Sequence, residues 1–241
     1  MARQPRFLLA GQPHLVLQQG HNRSLIVCDE EDRLQWLALL RDTAATHRVV
    51  LHAWGLASDR FALLLTPPSP QALSRMMQTL GRRYVGWFNA RQGRSGTLWD
   101  GRFRACVVED GAWLLAAMHH VEGLHGGHDR GQDGDALPDA PASAAASSLA
   151  HHLGRVVDPA LSDVAAYWAL GNTPFDRQVV YGRQAEAGLS TRQREAIAAA
   201  LRGGRPLGSA KWVARLQQES AQPLLPGRPG RPRKAPAKPG G

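Results

Sequence analysis

Apolar positions in the first half of the chain alternate between a strand rhythm and a helix rhythm. Pro13 to Gln19 (PHLVLQQ) is short and apolar and predicts a strand. Asp29 can cap a helix, with Asp32 in its first turn. Leu34, Leu37, Leu40 and Ala44 then recur at helical spacing to about Thr46. Arg48 to Leu56 (RVVLHAWGL) is β-rich. The run Phe61 to Leu65, ended by Pro67-Pro68, follows almost at once, so the two predict a hairpin around Ala57-Ser58-Asp59. A helix is expected from about Pro70 to Ala90, with Leu73, Met76, Met77, Leu80, Tyr84 and Trp87 on one stripe. After a basic loop, Arg104 to Val108 (RACVV) is a further strand and Gly111 to Leu124 a further helix. The order β-α-β-β-α-β-α places residues 1–125 in the α+β class, as a ferredoxin-like antiparallel sheet packed by helices.

The pattern then fades. Gly126 to Ser148 is rich in Gly, Asp, Ala, Pro and Ser, and residues 126–158 read as a linker. Residues 159–170, 174–187, 190–202 and 209–219 have helical composition and predict a small helical C-terminal region over 159–220. From residue 221 to 241 the chain is Pro, Gly, Arg and Lys with little to bury, a basic tail expected to be disordered when free.

Charge sharpens this division. Residues 200–241 carry nine Lys/Arg and one acid, Glu219, a balance of +8. Residues 1–199 are left with twenty bases against nineteen acids, +1. A polycationic tail seeks polyanions, and without an amphipathic pattern nucleic acid is favoured over a membrane surface. No apolar run approaches the roughly 20 residues of a spanning helix, and nothing resembles a signal peptide. Two cysteines, Cys28 and Cys106, with no CxxC, point to a reduced cytosolic setting and away from thiolate zinc chemistry.

Two motifs carry candidate DNA chemistry. In PGRPGRPRK (226–234) Pro and Gly keep the backbone slim, so flanking arginines can enter the narrow minor groove of A·T-rich duplex. This resembles an AT-hook, with Arg228, Arg231 and Arg233 in the groove and Lys234 on phosphate. The second is GRRYVGWFNARQGRSGTLWDGRFR (81–104), with six arginines and one acid, Asp100. Arg82, Arg83, Arg91, Arg94, Arg102 and Arg104 suit phosphate, and the interleaved aromatics offer stacking surfaces, although Trp87 and Phe88 suit a core better. Ten histidines raise a metal question. Adjacent pairs such as His119-His120 and His151-His152 point about 100° apart on a helix, and the pair His125/His128 falls in a glycine-rich loop. No metal site is expected from spacing, and no resident cofactor.

Arg60 and Ala62 share one face of their strand, one a large cation and the other almost bare. This oddity belongs to a wider resemblance. The segments HLVLQQGHNRSLIVCDEEDRLQWLALL, LHAWGLASDRFALLL, GRRYVGWFNARQGRSGTLWDGRFRACVVED, ALGNTPFDRQVVYGR and GRPRK resemble REP-associated tyrosine transposases, of the single-tyrosine HUH superfamily. The resemblance implies a ferredoxin-like sheet, cytoplasmic and nucleoid-associated action, binding of hairpin or single-stranded repetitive DNA, a homodimer, and a divalent metal such as Mg²⁺. In that family two strand histidines hold the cation and a helix tyrosine attacks phosphorus. The family strand pattern Pro-Asn-His-Phe-His-Leu-Leu-Leu reads here Ser58 to Leu65, so the metal positions hold Arg60 and Ala62. The nucleophile position falls in LLAAMHHVEGLHG, on His120.

The resemblance therefore implies a transposase-family DNA-binding protein with a degenerate site. An active strand-transfer enzyme with a rebuilt site, using His120, and an RNA-binding or protein-interaction module are the alternatives.

Overall fold

A computed structural model describes residues 6–125, 146–220 and 224. The AT-hook-like residues Arg228, Arg231, Arg233 and Lys234, and the segment 126–145 with His128, lie outside the described residues.

The N-terminal half follows the expected order. Strand β1 is His14–Gln19, helix α1 Glu30–Thr46, β2 Val50–Leu56, β3 Arg60–Thr66, α2 Pro70–Arg91, β4 Arg104–Val107 and α3 Ala112–Glu122. After residue 145 come β5 (Ala146–Ser147), α4 (Leu149–His152), α5 (Ala165–Trp168), α6 (Pro174–Ala187), α7 (Thr191–Gly203) and α8 (Ala210–Glu219). The helix starts are written in the sequence. The side chains of Asp29, Ser69, Thr173, Ser190 and Ser209 each accept the backbone N–H three residues on. Pro70 and Pro174 occupy first-turn positions where no N–H is needed.

The five strands form one antiparallel sheet in the order β4-β1-β3-β2-β5. Its first four strands have the ferredoxin-like arrangement, which is the class the sequence pattern implies. Strand alternation divides the core in two. Val16, Phe61, Leu63 and Leu65 face Trp36, Leu40, Met76, Leu80 and Tyr84 of α1 and α2. Leu15, Ala53, Ala62, Leu64 and Cys106 face the other way, against α3 and residues Tyr181, Ile197 and Leu201.

That second cluster corrects the linker and appendage readings. Within 126–158, residues 146–158 contain a strand pairing and a helix. Ser147 and Ala146 pair with Gly55 and Leu56 of β2. Helices α5 to α7 join α3 in covering this face of the sheet, packing Tyr181, Ile197 and Leu201 into one cluster with Leu15, Leu64 and Cys106. The α1 stripe holds except at its first position. Leu34 is exposed, whereas Leu37, Leu40 and Ala44 are buried, joined on the inner face by Asp32, Trp36 and Thr43. The cause lies at the helix start, where Asp32 accepts the Cys28 N–H at 2.8 Å and the Arg91 guanidinium at 2.9 Å, drawing that turn inward.

Both margins of the sheet are held by the C-terminal half. On the β2 side, beyond β5, Ser162 N–H donates to Leu51 O at 2.8 Å. On the β4 side, Leu207 N–H donates to Val107 O and Glu109 N–H to Leu207 O, both at 2.8 Å.

Candidate nucleic-acid interface and the catalytic positions

Cross-strand partners share a face, so the register places Arg104, Leu17, Ala62 and Gly55 in one row across β4, β1, β3 and β2. Gln19 and Arg60 form the next row outward. α3 closes over the inner end. A Cβ added at Gly55 would sit 1.9 Å from the carbonyl oxygen of Val121, which makes glycine obligatory at this close approach. Ala62 is 0% exposed. The positions the resemblance assigns to metal do not fit one. Ala62 offers no donor atom and no space, and Arg60 brings a fixed cation. The Arg60 side chain is partly exposed, lies 3.8 Å from Asp59, and encloses an Nε that makes no hydrogen bond. His120, at the nucleophile position, is buried in α3 at 7% exposure.

The chain has three tyrosines, and all are interior. Tyr84 donates to Ile26 O at 2.6 Å, Tyr167 to His152 O at 2.7 Å, and Tyr181 to Glu122 Oε2 at 2.6 Å. Burial raises the pKa of each phenol, and nearby carboxylates raise it further. A phenol that is buried, bonded and hard to ionise is a poor nucleophile toward a phosphodiester.

The basic stretch 81–104 is divided by the sheet. Arg82 and Arg83 are exposed on α2, on the α1 side, and Arg83 is ion-paired with Asp42. Arg91 is a clamp on the α1 N-terminus, reaching Asp29 at 2.8 Å, Glu31 at 2.9 Å and Asp32 at 2.9 Å. The N–H of Asp32, together with Arg91, holds the Asp29 carboxyl below its ordinary pKa. Arg94 donates to Thr97 O at 3.4 Å and lies 5.8 Å from the Phe88 ring centre. Arg102 and Arg104 are exposed at the β4 end, where Arg104 shares the α3 face with Arg60. The structure thus groups Arg60 with Arg104, and leaves Arg82, Arg83 and Arg91 on the opposite side. The aromatics of the stretch stack on one another, with Tyr84 6.0 Å from Trp87 and 6.2 Å from Trp99.

A buried polar cluster escaped the sequence reading. Glu122 is 1% exposed and accepts three hydrogen bonds: Ser148 Oγ–H at 2.5 Å, His152 Nδ1–H at 2.6 Å and Tyr181 O–H at 2.6 Å. Burial alone would raise its pKa, but these bonds, led by His152, outweigh it and hold the carboxyl below its ordinary value. Its members lie 26 to 59 residues from Glu122 in sequence, so no local spacing signals it. The lone acid ending an apolar helix was the available hint.

No family model matches the chain, and no curated protein matches it. Among solved structures, one of a REP-associated tyrosine transposase bound to a REP hairpin is similar with a TM-score of 0.47 and 13% identity, over 69% of this chain and 96% of that one. Another, of a provisionally assigned transposase from Deinococcus radiodurans R1, has a TM-score of 0.36 and 21% identity, over 45% of this chain and 88% of that one.

Proposed function

We propose that the chain is a transposase-type DNA-binding protein that holds hairpin-forming or single-stranded repetitive DNA without breaking it. The observation that carries this reading is the fate of the reactive groups. The strand face presents Arg60 and Ala62 in place of metal-ligand imidazoles, and every phenol in the chain is interior and bonded. A fixed guanidinium can neutralise a backbone phosphate as a cation would, but it cannot lower the barrier to attack by activating a water or hydroxyl. Arg60, Arg102 and Arg104 are the contacts assigned to the α3-side margin of the sheet. The tail, with Arg228, Arg231, Arg233 and Lys234, adds an A·T-duplex contact on the same polymer, raising affinity through effective concentration.

Gel-shift titration of the full chain against hairpin, duplex and single-stranded DNA, with and without Mg²⁺, tests this. Binding is expected without metal, to weaken steeply with salt, and to leave no covalent species on denaturing gels. A protein–DNA adduct resistant to denaturation would overturn the non-cleaving reading. Displacement of DNA by structured RNA at lower concentration than by DNA itself would overturn the DNA assignment.

A further inference from the structure

His151 and His152 are adjacent on the single turn of α4, yet their rings converge. Each Nε2 lies 3.8 Å from Asp163 Oδ1, and the three ligand atoms all lie within 4.8 Å of one another. Among the described residues no other group of three His, Cys, Asp or Glu side chains comes together this way. The 100° separation of neighbouring helix positions is overcome because Asp163 approaches from a different segment, while the two rings stand edge to face with each other, centres 5.1 Å apart at an interplanar angle of 77°.

The second observation is the state of His152. Its side chain is 0% exposed, Nδ1–H donates to Glu122, and Nε2 makes no hydrogen bond although it is aimed at Asp163. The Glu122 bond fixes the proton on Nδ1 and leaves a lone pair on Nε2. A carboxylate behind one imidazole nitrogen, with the other free, is the arrangement that orients and strengthens a metal-ligating histidine. An enclosed nitrogen lone pair without a partner is otherwise an uncompensated cost.

We propose that His151 Nε2, His152 Nε2 and Asp163 Oδ1 bind one zinc-like divalent cation, with Glu122 as the positioning residue behind His152. Two imidazoles and a carboxylate favour zinc over magnesium, which prefers oxygen. Zinc–ligand distances of about 2.0–2.2 Å require the three atoms to close in from their present separations. Asp163 and His151 can make that adjustment, since their side chains are 24% and 19% exposed. His151 must also change. Its Nδ1 now accepts the Asp158 N–H at 3.1 Å, so metal binding moves the ring proton to Nδ1 and breaks that bond. The fourth coordination position is left to water. The cation would tie α4 to the segment that precedes α5, independently of the Arg60 face.

The test uses the full chain without a polyhistidine tag, stripped with chelator and titrated with Zn²⁺ alone by calorimetry, then with Co²⁺ to read tetrahedral absorption. One equivalent of Zn²⁺ is expected to bind, unaffected by excess Mg²⁺, and the Asp158 amide resonance is expected to shift on binding. Asp163→Asn and His151→Gln should each weaken Zn²⁺ binding by about tenfold or more with metal-free thermal stability unchanged. Both sites are partly exposed, so either variant can stand in if the other folds poorly. Absence of stoichiometric Zn²⁺ binding, or an Asp163→Asn protein with wild-type affinity, overturns the proposal.

Discussion

Position 62 is bounded by Leu17 and Gly55 across the strands and lies beneath the turn of α3 that carries Val121. Ala62 is fully buried in the core that α3 closes, so a metal-ligand imidazole there has no open space to occupy. Ala62→His is therefore expected to destabilise the chain by roughly 2–4 kcal/mol, read by urea unfolding, and Arg60→His with Ala62→His together should not gain Mg²⁺-dependent cleavage. Gly55→Ala should cost stability through the same contact, by about 2 kcal/mol or more. The shared face of residues 60 and 62 was legible in the sequence, because strand alternation is local. The closure of α3 over them was not, since it depends on a glycine and a carbonyl 66 positions apart, Gly55 and Val121. His14 gives a separate prediction. Its Nδ1–H donates to Gln12 O at 2.7 Å, and its Nε2 accepts the Leu9 N–H at 3.2 Å, so the ring is held neutral. Burial lowers its pKa from 6.5 to about 4. The unfolded chain binds this proton first, so the stability contribution is complete above about pH 6.5 and is lost as pH falls toward 4. The loss amounts to about 3 kcal/mol, and a His14→Gln variant should show a flatter acid limb in unfolding titrations.

At the scale of elements, α1 and α2 are joined at one end by Arg91, whose guanidinium serves three carboxylates at once. One of them, Asp32, is fully enclosed, so removing the cation strands an interior charge. Arg91→Ala should therefore lower the melting temperature by several degrees. Arg102→Ala and Arg104→Ala should leave melting unchanged, weaken DNA binding, and each reduce the salt slope by somewhat less than one unit. The two readouts separate a helix clamp from a phosphate contact, a distinction invisible in a run of six arginines. Charge density was readable from the sequence, but which charges were already satisfied was not, because Asp29, Glu31 and Asp32 lie about 60 residues upstream of Arg91. The same holds for Leu34. Spacing fixes the Leu37, Leu40 and Ala44 stripe but not its edge, and the Asp32 bonds bring Trp36 rather than Leu34 inward there.

The whole molecule is a sheet covered on both faces, with the second cover shared between α3 and residues after 145. Composition alone separated that half as an appendage. A two-residue strand carries no periodicity, and helices α5 to α7 bury few residues each, so their shared core with Leu15 and Leu64 had no sequence signature. Residues 1–125 expressed alone should consequently be insoluble or molten, with dye-binding apolar surface where Tyr181, Ile197 and Leu201 normally sit; a cooperative unfolding transition for that fragment would contradict the shared core. The stitched margins have a further outcome. Hydrogen bonds from Ser162 to Leu51 and from Leu207 to Val107 occupy backbone groups that an unpaired outer strand would offer to another chain. Self-association by strand addition, and the fibrous precipitation that follows from it, are thereby blunted at both ends of the sheet. A second copy that docks here must meet side-chain surface instead of completing the ladder.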